Sequence, residues 1–189
     1  CSGTNDDWVY DKLGVASYVF EMGKEFFENC TTFQQDVWVK ALPTLIYAAK
    51  ASRLPYQSPA GPEITEIRLD KTRVMTGMKV LLTGIADDTR FAGESEPTQK
   101  IVDIRYSVDL PSWISGAGTV QIPAVAGGFI SSREEVRCRI DTTGWSIGRH
   151  QIFVEAKDAE GNWGVPTSLF LDVERTGSIW LPEVRKSAH

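Results

Sequence analysis

The sequence predicts a short α/β segment followed by an all-β sandwich. Three observations support this. The apolar run at residues 15–20 shows little alternation and stands between two helical patterns. A stiff connector with three prolines, Pro55, Pro59 and Pro62, interrupts every hydrophobic period. After it, short alternating segments recur with turn residues between them.

The first helix is expected to begin at Thr4-Asn5-Asp6-Asp7, with Thr4 as N-cap, acidic residues in the first turn, and Gly14 placed to end it. Residues 15–20 then read as a strand buried on both faces of a parallel or mixed sheet. A loop at residues 23–29 leads into a long amphipathic helix. There Trp38, Leu42, Leu45, Ile46 and Ala49 form a stripe suited to lie on that sheet, while Gln35, Lys40 and Lys50 face water. Pro43 removes one helix hydrogen bond, which predicts a kink or two abutting helices meeting near Ala41.

The domains are expected at residues 1–57, 58–175 and, as a tail, 176–189. Strands are expected at residues 64–69, 79–86, 101–108, 119–122, 134–140, 151–156 and 168–173. Seven strands at this spacing indicate a sandwich of immunoglobulin or fibronectin type. Val136, Cys138 and Ile140 should share one face, as should Ile152, Val154 and Ala156. Turns are expected at residues 88–90, 127–128 and 160–162.

With 42% hydrophobic and 24% charged residues, the 189-residue chain has a globular composition. The net charge of -5 is spread along it, and no basic stripe is present to grip phosphates, so nucleic acid is not an expected partner. No run of eighteen apolar residues predicts a membrane span. Cys1, Cys30 and Cys138 are too few for a disulfide scaffold and form no C-x-x-C pair. A single Cys1–Cys30 bridge is one option, with Cys138 a buried strand thiol.

Glu21 is the principal candidate. A carboxylate at the carboxyl end of a buried strand stands where open α/β sheets place their binding crevice. The plainer alternative is a solvated loop residue. The residues Asp7-Trp8, Tyr10, Gly14, Phe20-Glu21, Gly23, Phe26-Phe27 and Cys30, in this order and spacing, resemble the last catalytic segment of bacterial zinc metallocarboxypeptidases. Tyr47-Ala48-Ala49-Lys50, Arg53 and Pro55-Tyr56 extend the likeness to about residue 56. The sandwich resembles the immunoglobulin-like module appended to some bacterial relatives.

The resemblance implies that Glu21 is the general base and acid of a metallohydrolase that cleaves the last bond of a peptide, with Zn2+ supplying an activated water. It also implies that Asp6 lies at the base of the pocket for the substrate's terminal side chain, where an anion would favour terminal Lys or Arg. Helix capping is the other reading of Asp6, and Asp7 is expected to be structural. The family's His-x-x-Glu pair and second histidine do not occur here, so no metal ligand is assigned. Zn2+ is expected to be held by residues upstream of this chain, in the N-terminal part of the same catalytic domain. The chain is accordingly expected to be the C-terminal portion of a secreted, extracellular or periplasmic enzyme, inactive alone. Its partners would be peptide or protein C-termini.

In the sandwich, Asp158, Glu160 and Asn162, with Asp87 or Asp88, could offer oxygen ligands to Ca2+. The alternative is a turn whose Asx side chains bond their own backbone. Trp113, Trp145, Trp163 and Trp180 read as core or as a binding surface, and His150 as structural. The rival to the enzyme is a non-catalytic adhesion or substrate-tethering module.

Overall fold

The computed structural model describes residues 4–55, 58–90 and 97–175. Cys1 with its proposed bridge, Tyr56, Trp180, His189 and the tail from residue 176 lie outside them. The chain divides between Ala60 and Gly61 into two compact units.

In the first unit, helix α1 spans Asn5–Leu13 and ends as expected at Gly14, whose φ of 62° is left-handed and whose N–H donates to the Tyr10 carbonyl. Thr4 holds the N-cap position in extended backbone, without a side-chain cap bond to the helix. The predicted strand at residues 15–20 is absent: no strand is assigned there, and Val15, Tyr18 and Val19 are exposed. A strand buried on both faces needs hydrogen-bonded neighbours on either side. Among its described residues this unit contains no strand to pair with.

The long helix forms, but its irregularity is displaced from the expected site. Helix α2, Cys30–Thr32, passes through a π-helical turn, Phe33–Val37, into α3, Trp38–Ala51, which continues unbroken across Pro43. Asn29 caps the run, its side chain accepting from the Thr32 N–H at 2.9 Å. The apolar stripe is uncovered: Trp38, Leu45 and Ile46 are all exposed.

The second unit is a β-sandwich. Its strands are β1 (Glu63–Leu69), β2 (Arg73–Met75), β3 (Lys79–Asp87), β4 (Ile101–Val108), β5 (Thr119–Gln121), β6 (Arg133–Asp141), β7 (Gly148–Asp158) and β8 (Thr167–Glu174). One sheet has the order β1-β3-β6 and the other β2-β8-β7-β4-β5. Pairing is antiparallel except between β2 and β8. Val80, Leu82, Val136 and Ile140 from the first sheet meet Ile104, Ile152, Val154 and Leu171 from the second in one fully buried core.

The seven expected strands all form, and the alternating sets on β6 and β7 face inward as expected. Strand β2 escaped sequence reading because three residues are too few to show a period. Here the chain crosses between sheets after β1, where Asp70 Oδ1 accepts from the Leu81 N–H at 2.8 Å.

Strict alternation through β1 would have turned Glu66 and Arg68 inward. Instead the register shifts between Thr65 and Arg68, with Glu66 at a φ of +50°. That bulge lets Ile64, Ile67 and Leu69 all pack on the core. Gly84 lies opposite it, where an added Cβ would come within 3.2 Å of the Ile67 Cα. Strand β6 is a free edge of its sheet, and its exposed positions are Arg133, Glu135, Arg137, Arg139 and Asp141.

The tightest backbone approach in the sandwich is at Gly164, where an added Cβ would sit 1.8 Å from the Pro62 carbonyl oxygen. Gly164→Ala must therefore displace backbone. It is expected to lower the stability of the full chain by on the order of 1–3 kcal/mol in urea denaturation. Gly118→Ala, at an open site, should stay within about 0.5 kcal/mol of the parent.

Candidate functional site

Glu21 emerges from the non-strand segment after Gly14, exposed, and lines a hollow of about 260 Å³. Phe20, Met22, Gly23 and Lys24 form one wall. Asp36, Val37, Lys40, Ala41, Thr44 and Leu45 of the helical run form the other. The hollow is thus amphipathic, with two lysines and two carboxylates around an apolar floor. Asp36 is bonded by Lys40 one turn on, and that contact holds its carboxyl below the ordinary range, with Lys24 adding to the effect. A second hollow, of about 240 Å³, continues along the helix between Tyr18, Phe20, Tyr47, Ala48 and Ala51.

Asp6 is not among the residues lining either hollow. It stands half-buried in the first turn of α1. There hydrogen bonding from the Thr4 side chain, then from its own N–H, keeps its carboxyl below the ordinary range; burial opposes this, the Asp7 N–H contributes less, and Oδ1 is buried without a hydrogen-bond partner.

The acidic loops of the sandwich are largely occupied with their own neighbours. Asp158 accepts from the Asn162 N–H at 2.8 Å and from Asn162 Nδ2 at 3.0 Å, the turn geometry of the plainer reading. Asp88 accepts from the Gln99 N–H, and Glu160 accepts from Gln99 Nε2 at 3.0 Å. Burial pushes the Asp88 carboxyl up, the Gln99 N–H opposes this, and the charges of Asp158, Asp87 and Glu160 add to the rise. No group of three or more His, Cys, Asp or Glu placed to hold a metal occurs among the described residues. Cys138, on the inner face of β6, is half-buried, and burial raises its thiol to about 11.

Two polar clusters were not legible in the sequence. On the outer face of the larger sheet, Arg105 Nε donates to Glu155 Oε1 at 2.7 Å, and the guanidinium lies 3.6 Å from the centre of the Trp163 ring. Glu155 is 5% exposed, so the Arg105 guanidinium takes the place of water beside its carboxyl group. Both residues alternate correctly within their strands, yet only the β4–β7 register places them opposite one another.

The second cluster joins two loops at one end of the sandwich. His150 Nδ1 donates to Asp109 Oδ2 at 2.7 Å, and Nε2 donates to the Ser146 carbonyl at 2.8 Å. The Trp145 ring packs on the imidazole at 4.9 Å. His150 is buried among its own neighbours, in keeping with the structural role the sequence suggested, and an acceptor at each nitrogen favours the protonated ring. Trp145 also packs against the core, whereas Trp113 is exposed at the surface.

No protein-family model matches the chain, and no curated protein matches it. Among solved structures it is similar to the Pseudomonas fluorescens alkylpurine DNA glycosylase AlkC, bound to DNA containing an abasic site analog. The identity is 16%, over 76% of this chain and 44% of that one, with a TM-score of 0.41. It is also similar to the PKD domain of an M14-like peptidase from a Thermoplasmatales archaeon, at 18% identity over 61% of this chain and 97% of that one, TM-score 0.40. Fibronectin(III)-like modules of Clostridium thermocellum CbhA match at 16% identity over 58% of this chain and 97% of that one, TM-score 0.33. Likenesses this loose carry no argument about function. No helix among the described residues is long and apolar enough to cross a membrane.

The His150 cluster has a pH signature. Burial disfavours the charged ring, but the Ser146 and Asp109 hydrogen bonds outweigh it and leave the pKa raised. A raised folded value means the stabilisation is complete below the unfolded value of about 6.5 and is lost as pH rises through the folded value. Urea midpoints of the parent and His150→Gln should therefore differ most below pH about 6.5 and converge on the alkaline side. A gap that widens with pH would contradict the assignment.

Proposed function

We propose that residues 4–60 carry the acid–base carboxylate, Glu21, of a zinc metallocarboxypeptidase body, and that residues 61–175 are an accessory β-sandwich. The observation that carries this reading is the exposure of the first unit's apolar residues. Phe26 is 99% exposed, Phe27 93%, Val19 68% and Leu13 62%. Folded proteins rarely leave so much apolar surface in water without a partner for it. Phe20, Met22 and Leu45, exposed as well, line the Glu21 hollow, so a polypeptide packed on them would close that hollow into a cleft. The motif likeness around Asp7, Phe20-Glu21, Gly23 and Phe26-Phe27 supports a carboxypeptidase body as that polypeptide.

The donor set of this chain does not fit zinc, since its described residues include one histidine, His150, already bonded at both nitrogens. The contribution of these residues is confined to Glu21. Its carboxylate takes a proton from the attacking water and returns it to the departing amine. Asp6 is proposed to favour substrates ending in Lys or Arg. Peptide C-termini are the proposed substrate and a secreted or periplasmic location the proposed setting.

A second reading, a non-catalytic adhesion or tethering module, draws on the closed core that the sandwich builds by itself. A complete reading frame with no His-x-x-Glu pair and later histidine would favour it.

The direct test expresses the complete reading frame and follows release of terminal Arg, Lys and Phe from short peptides. Glu21→Gln is expected to lower turnover by about 10²- to 10⁴-fold, and unchanged turnover overturns the assignment. Asp6→Leu is expected to erase the preference for Arg and Lys over Phe. An unaltered preference removes Asp6 from the pocket.

A further inference from the structure

We propose that Glu28 is a positioning residue for Glu21, its carboxylate closing the intervening loop so that the direction in which Glu21 leaves the backbone is set. The inference rests on the acid–base reading of Glu21 given above.

Four observations converge on Glu28. Its Oε1 accepts from the Lys24 N–H at 2.7 Å and from the Glu25 N–H at 3.1 Å, so one oxygen gathers two successive backbone donors. Gly23, two residues after Glu21, turns the chain at a φ of +85° directly over that side chain. An added Cβ there would lie 2.9 Å from Oε1 and 3.1 Å from Cγ, and the positive φ itself favours glycine, so a side chain at position 23 would strain the turn and push Glu28 aside. Across residues 21–30, Glu28 alone is half-buried while its neighbours are exposed. The next residue, Asn29, caps the helical run through Thr32.

These contacts form a short mechanical chain. The helical run supplies one wall of the Glu21 hollow, Asn29 fixes its start, and Glu28 ties the loop carrying the opposite wall to that fixed point. Charge-assisted bonds to backbone N–H groups are among the stronger hydrogen bonds available to such a loop. Glu28 is absent from the hollow's lining, so it acts through Glu21's placement and touches no reacting atom. Displacing a catalytic group by about an ångström is enough to slow a reaction severely.

The test uses the protein expressed from its complete reading frame, with Glu21→Gln measured alongside. Glu28→Ala is expected to lower kcat roughly 10- to 100-fold with KM little changed, and to speed hydrogen exchange at the Lys24 and Glu25 amides. Glu28→Gln keeps a carbonyl oxygen at the same reach and is expected to restore most of both. Should Glu28→Ala fail to fold, Glu28→Asp, which withdraws the oxygens by one methylene, should show the same fall in kcat. Wild-type kcat in the Ala or Asp variant, beside an inactive Glu21→Gln, overturns the positioning role and leaves Glu21 in place. A Glu28→Gln variant as slow as Glu28→Ala also overturns it. Full turnover in Glu21→Gln removes the acid–base reading and the positioning role together.

Discussion

Exclusion of water from the space between two sheets is the constraint on which residues 61–175 depend. Leu82, Ile104, Ile140, Ile152 and Leu171 are wholly buried there, and each can reach that space only if its strand keeps the correct face inward. The bulge in β1 follows from this requirement. Without an extra residue, Glu66 and Arg68 would carry charge into the core. With it, three apolar residues pack inward and both charged ones point outward. Gly84 and Gly164 belong to the same logic, each leaving room where a neighbouring backbone must come close.

Residues 4–60 pose the opposite problem. Their helices are well specified by caps, by Gly14 and by local hydrogen bonding, but local order does not bury surface. A helix held by its ends and left with Trp38, Leu45 and Ile46 in water has secondary structure without a core. The Glu21 hollow shares this openness, because apolar residues of both its walls, Phe20, Met22 and Leu45, stand in water. A cleft of this kind takes its chemistry from whatever covers it, which is why the proposed function involves polypeptide beyond these residues.

Much of the sandwich was legible because its signals are local. A period of two in residues 134–140 or 151–156 needs no knowledge of the partner strand, and Gly14 announces a helix end by itself. What stayed hidden was relational. Strand β2 exists only because β8 offers an edge to it, and Arg105 meets Glu155 only through register. The pairing of His150 with Asp109 joins the start of β7 to the loop after β4. The strand expected at residues 15–20 fails for the same reason, since an apolar run becomes a strand only beside another. As a candidate, Glu21 was legible from its motif context. Glu28 was not, because a carboxylate seven residues on carries no periodic or motif signal until the loop is seen to fold over it.

The outward residues of β6 have one more consequence. The open edge of a strand is a template on which a second molecule can add its own, and the nine residues of β6 would offer a long seam. Here that seam is fringed with guanidinium and carboxylate groups that would have to shed water before any such union. Copies of this module can therefore meet at high concentration without zipping into one another along this edge.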